Sequence, residues 1–195
     1  MFPIFGLTNK KGNPMLIGIS GKAGSGKDTL GQFLCEEYRC LHYYFAKPLK
    51  EGARVMFNLT EEQIENKEEV IEPWGMSPRK IYQLLGTEVG RGLDKQIWIK
   101  NAQMFVNSVL GRTVVITDVR FKNEAEWIRS QDGCVINVQR DSLIDITENT
   151  HSSENDIGPD DYDLLIKNNG KIEDMCNEVV YHIQDNASTY QAHSF

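Results

Sequence analysis

The sequence is short of basic residues, closely spaced cysteines and long apolar runs. Its 21 Lys and Arg residues against 28 Asp and Glu residues give a net charge of −7, which disfavours binding to a long nucleic-acid duplex. The four cysteines form no CxxC pair and have no histidine at metal-ligand spacing, so neither a disulfide framework nor a zinc site is expected. No apolar run approaches membrane-spanning length, and residues 1–12 lack a signal-peptide pattern. We therefore expect a soluble, cytoplasmic protein that binds neither nucleic acid nor a membrane.

The clearest motif lies at residues 15–30, which read MLIGISGKAGSGKDTL. An apolar run leads into a glycine-rich turn, a Gly-Lys pair and a helix-compatible segment, which is the order of a phosphate-binding P-loop. Glycines allow backbone N–H groups to surround an anion, and the N-terminus of the following helix adds further unpaired N–H groups. Lys27 is placed to reach the β- and γ-phosphates. The motif therefore predicts a nucleotide-phosphate site rather than a turn without a ligand.

Strand-like and helix-like segments alternate along the chain. The predicted strands are residues 15–19, 41–45, 113–117, 135–138 and 164–166. The predicted helices are residues 29–38, 48–58, 60–70, 78–91, 95–110, 123–131 and 172–183, with a frayed tail at 184–195. This alternation predicts an α/β fold with a doubly wound parallel sheet of about five strands. We expect one domain over residues 1–195, with its core at 15–185, a helical insertion at about 47–110 and a lid-like segment at about 141–160.

Polar residues at the predicted strand ends are candidates for the site, because ligands bind at the carboxyl ends of parallel strands. Asp118 follows the most apolar strand, which we expect at the centre of the sheet beside the P-loop strand. Its carboxylate could hold Mg²⁺ directly or through water, or could cap the next helix. Arg120 could clamp a phosphate or lie on the surface. Arg140 ends a strand before the acidic lid-like segment, where a lid arginine is expected.

The predicted helix at 78–91 carries two arginines. Arg79 and Arg91 lie about 120° apart on an ideal α-helix, so only one is expected to point at the phosphates, and Arg79 is the better candidate. Arg91 precedes the helix-ending glycine and could complement the helix dipole instead. Gln83 and Thr87 belong to a polar face that could bind a base or be solvated. Trp98 could stack on a base, although an aromatic residue more often belongs to the core.

Several sequence blocks together resemble a known family. In order along residues 15–185, they read SGKAGSGKDT, FAKPLK, RKIYQLLGTEVGR, DKQIW, TDVRFKNEAEW, HSSE and LLIKNNGKIEDM. This ordered set is similar to bacteriophage deoxynucleoside monophosphate kinases, which belong to the P-loop nucleoside monophosphate kinases. The resemblance implies an adenylate-kinase-like, three-layer α/β/α fold. It also implies transfer of the γ-phosphoryl group of ATP to a deoxynucleoside monophosphate (dNMP) with Mg²⁺, which supplies DNA precursors for phage replication in the host cytoplasm.

The resemblance also implies roles for residues at matching positions. Those expected to bind ATP are Ala23, Gly24, Ser25, Gly26, Lys27, Asp28, Thr29 and Arg140. Those expected to bind the dNMP are Lys47, Arg79, Gln83, Gly86, Thr87, Trp98, Asp118, Arg120 and Glu124. The catalytic candidates are Lys27, Arg79, Asp118 and Arg120, and the magnesium candidates are Thr29 and Asp118.

Asp28 stands where the usual P-loop has Ser or Thr, and the hydroxyl follows at Thr29, as in the Gly-Lys-x-Thr variant of monophosphate kinases. Between Lys50 and Ser77, the chain is also shorter than the corresponding enzymes of large tailed phages.

Two alternatives stay open at this point. One is another P-loop kinase of small molecules, such as a dephospho-coenzyme A kinase, and the other is a nucleotide-sensing or assembly protein without catalysis. A homodimer is compatible with the sequence.

Overall fold

The computed structural model describes residues 7–9, 11–143 and 156–188. The HSSE block and most of the lid-like segment lie outside these residues. The chain divides into two compact units. We call the first the sheet unit, formed by the described residues up to Tyr44 and from Val106 onward, and the second the helical unit, Phe45–Phe105. In the described part of the chain, no helix is long and apolar enough to cross a membrane.

Five parallel strands form the sheet, as predicted. They are β1 (Leu16–Ser20), β2 (Leu41–Tyr43), β3 (Val114–Ile116), β4 (Cys134–Gln139) and β5 (Leu164–Lys167). Their order is β2-β3-β1-β4-β5, so the P-loop strand β1 is central. The prediction that the strand before Asp118 is central was wrong, although β3 does pair with β1. Both strands are fully buried, and burial is therefore no guide to which one lies in the middle.

The strand β2 is shorter than predicted, because Tyr44 and Phe45 do not join the sheet. Pairing of β2 ends where Tyr43 lies opposite Ile116, the last residue of β3. A strand needs a partner backbone to continue the ladder, and β3 provides three residues only. The aromatic residues after Tyr43 therefore do not extend the strand, and Phe45 is buried outside the sheet.

Helices cover both faces of the sheet unit. Helices α1 (Lys27–Tyr38) and α7 (Ile172–Ser188) pack on the face that carries Ile17 and Ile19. Helix α6 (Lys122–Ser130) packs on the other face, where a Cβ atom at Gly18 would lie 2.5 Å from the Cδ1 atom of Ile128. This arrangement is the expected three-layer α/β/α architecture. Helix α7 continues to Ser188, past the end predicted at residue 183.

The helical unit contains α2 (Lys47–Met56), α3 (Glu61–Glu65), α4 (Pro78–Gln83) and most of α5 (Ile97–Ser108). Its buried core is formed by Ala53, Leu59, Ile71 and Ile81. Thr60 and Gln63 make the predicted capping box, and the Ser77 hydroxyl caps α4. Helix α3 ends earlier than predicted.

The predicted α-helix at 78–91 changes its hydrogen-bonding pattern part-way. After α4 the chain continues as a π-helix, Leu84–Arg91, and Gly92 follows it. A π-helix bonds each N–H to the carbonyl five residues earlier and is rare at this length. The α-helical angle predicted between Arg79 and Arg91 therefore does not apply, and the polar face at Gln83 and Thr87 crosses the change of helix type.

Candidate nucleotide-binding site

The phosphate cradle, residues 21–27, follows the central strand and depends on two glycines with little space around them. Gly21 and Gly26 have φ angles of 148° and 101°, which other residues rarely adopt. A Cβ atom at Gly21 would lie 2.5 Å from the carbonyl oxygen of Val138, and one at Gly26 would lie 2.3 Å from Nδ2 of Asn168. Conformation and packing therefore both require glycine here, as expected of a loop whose backbone approaches an anion closely.

Helix α1 begins differently from the two capped helices of the helical unit. Thr60 accepts a hydrogen bond from the Gln63 N–H at the start of α3, and Ser77 accepts one from the Lys80 N–H at the start of α4. Gly26 stands at the corresponding position of α1 and has no side chain to offer. The first N–H groups of α1 therefore have no side-chain cap, and the positive end of the helix dipole faces the cradle.

Lys27 is the last residue of the cradle and carries a positive charge. Its side chain is 14% exposed, and its Nζ atom lies 2.8 Å from an Oδ2 oxygen of Asp28, whose side chain is 76% exposed. An ion pair with so exposed a carboxylate is weak in water, so an anionic ligand could replace Asp28 at low cost. Thr29 is exposed in the first turn of α1. The unusual Asp28 is thus the ion-pair partner of Lys27 in this structure.

The segment after β3 lies beside the P-loop strand. The Val119 N–H donates to the carbonyl oxygen of Ile19 at 3.2 Å, which ties the Asp118–Arg120 turn to the end of β1. Asp118 is partly buried and Arg120 is exposed. Within the described residues, no carboxylate pairs with the Arg120 guanidinium. The structure thus brings Asp118 and Arg120 to the same edge of the sheet as Lys27.

Glu124 stabilises the Asp118–Arg120 turn. It is 2% exposed, and its Oε2 atom accepts hydrogen bonds from the N–H groups of Arg120 at 2.9 Å and Phe121 at 3.1 Å. A glutamate three residues after the helix cap is typical of this arrangement, so the sequence did contain a signal for it. The Asp156 N–H donates to the carbonyl oxygen of Arg120 at 2.9 Å, which attaches the described end of the lid-like segment to the same turn.

Two buried asparagines support the cradle, and the sequence analysis missed both. Asn137 of β4 is 4% exposed, and Asn168, directly after β5, is 1% exposed. Asn137 donates from Nδ2 to the Ser20 hydroxyl at 2.8 Å, and Asn168 donates from Nδ2 to the carbonyl oxygen of Ser25 at 2.8 Å. The Asn-Asn-Gly sequence at 168–170 indicates only a turn, so the contact of Asn168 with a loop 143 positions away had no local signal.

A cavity of about 310 Å³ adjoins the cradle. Its lining includes Gly21, Ser25, Asn137 and Arg140. The Ser25 Oγ atom and the Asn137 Oδ1 atom are buried and have no hydrogen-bond partner among the described residues. Arg140 donates from Nε to the carbonyl oxygen of Asn168 at 3.2 Å. Buried polar atoms that lack a protein partner at a cavity wall are suited to bind polar ligand atoms or water.

The helical unit contains the remaining candidate residues. The Arg79 Nε atom lies 2.5 Å from Oε1 of Glu68. Trp98 donates from its indole N–H to the carbonyl oxygen of Gly86 at 3.0 Å, so the structure brings these two predicted residues together. A Cβ atom at Gly90 would lie 2.4 Å from Cζ2 of Trp98. Trp98 therefore packs closely against the π-helix and fixes its position.

Other predicted residues of this unit have local partners or lie partly buried. The Lys47 Nζ atom lies 5.7 Å from the centre of the Phe105 ring, within the range of a cation–π interaction. Gln83 and Thr87 are partly buried. Arg91 donates from Nη1 to the carbonyl oxygen of Lys95 at 3.2 Å.

The residues of the cradle fit a nucleotide phosphate and a magnesium ion. The collisions expected for a Cβ atom at Gly21 or Gly26 define a closely packed loop, and Ser25 and Lys27 add polar atoms. Thr29 and Asp118 carry oxygen donors, which Mg²⁺ prefers. Among the described residues, no group of three or more His, Cys, Asp or Glu could hold a metal ion. Magnesium would therefore depend on one or two protein oxygens together with phosphate oxygens.

A parallel sheet with this loop after its central strand, and a carboxylate and an arginine after the neighbouring strand, defines the class of P-loop nucleotide-binding proteins. The fold agrees with that of a solved structure, TT1252 from Thermus thermophilus. The two share 18% sequence identity with a TM-score of 0.52, and the match covers 89% of this chain and 98% of the other.

The sequence comparisons identify the family within this class. The family model for deoxynucleotide monophosphate kinase matches residues 53–179. A protein of Acanthamoeba polyphaga mimivirus, provisionally named deoxynucleotide monophosphate kinase, is 33% identical, and the match covers 89% of this chain and 98% of that protein. The deoxynucleoside-5′-monophosphate kinase of Escherichia phage T5 is 28% identical, with 73% of this chain and 85% of that protein covered. The chain belongs to the deoxynucleotide monophosphate kinase family, which confirms the resemblance.

Proposed function

We propose that this kinase transfers the γ-phosphoryl group of ATP to a dNMP, giving ADP and a deoxynucleoside diphosphate. The observation that carries the proposal is the phosphate cradle with Lys27, beside the Asp118–Arg120 turn. Binding of one nucleotide needs only the cradle, whereas transfer between two phosphates needs cations around both of them. Membership of the family supports a dNMP as the acceptor. The two relatives are viral, which supports a role in making DNA precursors in the cytoplasm of an infected host.

The proposed mechanism requires alignment and charge neutralisation more than proton transfer. The backbone N–H groups at Gly24–Thr29 would hold the ATP phosphates, with Arg140 beside the nucleotide. Magnesium, when bound near Thr29 and Asp118, would neutralise charge on the phosphates. Lys27 would stabilise the charge that develops on the transferred group, and Arg120 would hold the acceptor phosphate. No general base is needed, because the phosphate oxygens of a dNMP are already anionic nucleophiles.

We assign the dNMP side chiefly to the helical unit, where Lys47, Arg79, Gln83, Gly86, Thr87 and Trp98 are the candidates. Arg79 would exchange its ion pair with Glu68 for the acceptor phosphate. Trp98 would act through the π-helix, since its N–H is committed to the carbonyl oxygen of Gly86. Glu124 would contribute to dNMP binding through the turn that carries Arg120.

A substrate panel tests the proposal. ADP release from ATP and Mg²⁺ would be followed with each of the common dNMPs, with the matching ribonucleotides and with dephospho-coenzyme A. We expect ADP release that depends on at least one dNMP. Release with dephospho-coenzyme A alone would indicate another small-molecule kinase, and ATP binding without any acceptor-dependent release would indicate a non-catalytic nucleotide-binding protein.

A further inference from the structure

We propose that Asn168 is a positioning residue of the phosphate cradle, because its side chain sets the orientation of the Ser25–Gly26 peptide. The Nδ2 atom of Asn168 donates to the carbonyl oxygen of Ser25 at 2.8 Å, and the residue is 1% exposed. The donor end of the amide must face Ser25, since an amide oxygen there would face another oxygen.

The geometry of a peptide bond converts this hydrogen bond into control of the loop. In a planar trans peptide the C=O and N–H groups point in opposite directions. When Asn168 holds the Ser25 carbonyl on its own side, the N–H of Gly26 must point away from Asn168. Gly26 can rotate more readily than a residue with a side chain, and its φ is 101°. The Asn168 amide therefore opposes a flip of the Ser25–Gly26 peptide, which would turn the Ser25 carbonyl oxygen to the side where the Gly26 N–H points.

The main chain of Asn168 is itself held by two neighbours. Its N–H donates to the carbonyl oxygen of Gln139 at 2.7 Å, which continues the β4–β5 ladder. Its carbonyl oxygen accepts a hydrogen bond from Nε of Arg140 at 3.2 Å. Space around the amide is also limited, since a Cβ atom at Gly26 would lie 2.3 Å from Nδ2. Asn168 thus links the cradle, through its side chain, to the strand ends and to Arg140, through its main chain.

The inference rests on the proposed use of ATP, and binding rather than phosphoryl transfer is the readout. The variants are Asn168→Ala and Asn168→Leu, which both remove the donor, the second at similar volume. The matched control is Asn169→Ala, because Asn169 is exposed and bonds Asp141 instead of the cradle. Dissociation constants for ATP and for inorganic tripolyphosphate would be measured by titration calorimetry, with circular dichroism to establish folding.

We expect both Asn168 variants to bind ATP and tripolyphosphate about tenfold more weakly, which is the scale of one lost hydrogen bond to an oriented group. The Asn169→Ala variant should bind tripolyphosphate within about twofold of the unchanged protein. In steady-state assays the KM for ATP should rise, while the KM for the dNMP stays constant.

Three outcomes would overturn the inference. The first is unchanged tripolyphosphate binding by a folded Asn168 variant, and the second is an ATP loss that tripolyphosphate does not share, because the residue would then act on the adenosine. The third is failure of both variants to fold, which would make Asn168 structural. A negative substrate panel would leave the binding result standing, so the two proposals fail separately.

Discussion

The sheet unit and the helical unit hold their functional residues in different ways. In the sheet unit, Asn168 holds the cradle through a buried hydrogen bond to the carbonyl oxygen of Ser25, and its own N–H bonds Gln139 at the end of β4. In the helical unit, Arg79 is held by an ion pair with Glu68, and their side chains are 40% and 63% exposed. Exposed ion pairs contribute about 0–1 kcal/mol and exchange easily. The comparison indicates a pre-formed phosphate site in one unit and adjustable side chains in the other.

The largest expected effect is on the sheet unit, from Lys27→Ala. Loss of the cation that we propose faces the transferred group should lower kcat by roughly 10³-fold or more. The fold should stay intact, because the Lys27–Asp28 pair involves a carboxylate that is 76% exposed. The measurement is ADP release with a saturating dNMP, together with a thermal unfolding curve.

Lys11→Ala is the control for this removal of charge, since Lys11 pairs with Asp132 through side chains that are 67% and 61% exposed. It should keep nearly full activity. A Lys27→Ala enzyme with normal turnover would contradict the role proposed for Lys27 in the sheet unit.

The second prediction concerns the packing of the cradle. Gly26→Ala should lower the free energy of unfolding by about 2–4 kcal/mol, from the positive φ and the collision with Asn168 together. Gly111→Ala is the matched control, because Gly111 has a φ of 83° and nothing within 4 Å of the added Cβ. It should lose about 1 kcal/mol. Urea unfolding of both variants checks this, and equal losses would show that Asn168 can move aside.

The third prediction concerns the helical unit. Arg79→Ala should raise the KM for the dNMP by about tenfold, because the charge-assisted contact that we propose with the acceptor phosphate would be lost. Glu68→Ala removes the ion pair but keeps the same arginine, and it should leave that KM unchanged or lower. Steady-state kinetics at saturating ATP separate the two. A similar KM increase in both variants would mean that the ion pair itself, rather than Arg79 alone, supports the site.

The smallest effect is a pH dependence in the sheet unit. Burial, with the charge of Asp163 nearby, raises the pKa of Cys134 from 9.0 to about 12. Between these values the unfolded chain loses the thiol proton and the folded protein keeps it, so stability should fall as pH rises from about 9 toward 12. Cys134→Ala should reduce that slope in urea unfolding between pH 8 and pH 10. An identical slope in the variant would contradict the raised pKa.

The predictions from sequence succeeded where neighbours along the chain carry the information. The apolar run, the glycines and Lys27 are contiguous, and the five strands follow from apolar segments of the right length. The capping box at Thr60 and the cap at Ser77 also depend on residues a few positions apart. The π-helix at Leu84–Arg91 was predicted as an α-helix, since both helix types bury a similar apolar pattern. Trp98, which packs against it, lies outside this segment of the sequence.

The amino-acid sequence by itself determined the parallel α/β class, the phosphate loop and the family, because these depend on local composition and spacing. Only the tertiary structure decided that β1 is central and that Asn137 donates to the Ser20 hydroxyl. It also decided that the carbonyl oxygen of Ser25 accepts its hydrogen bond from Asn168, which directly follows β5. Such contacts join residues distant in the chain, and a buried polar atom accepts whichever partner the fold brings within hydrogen-bonding distance.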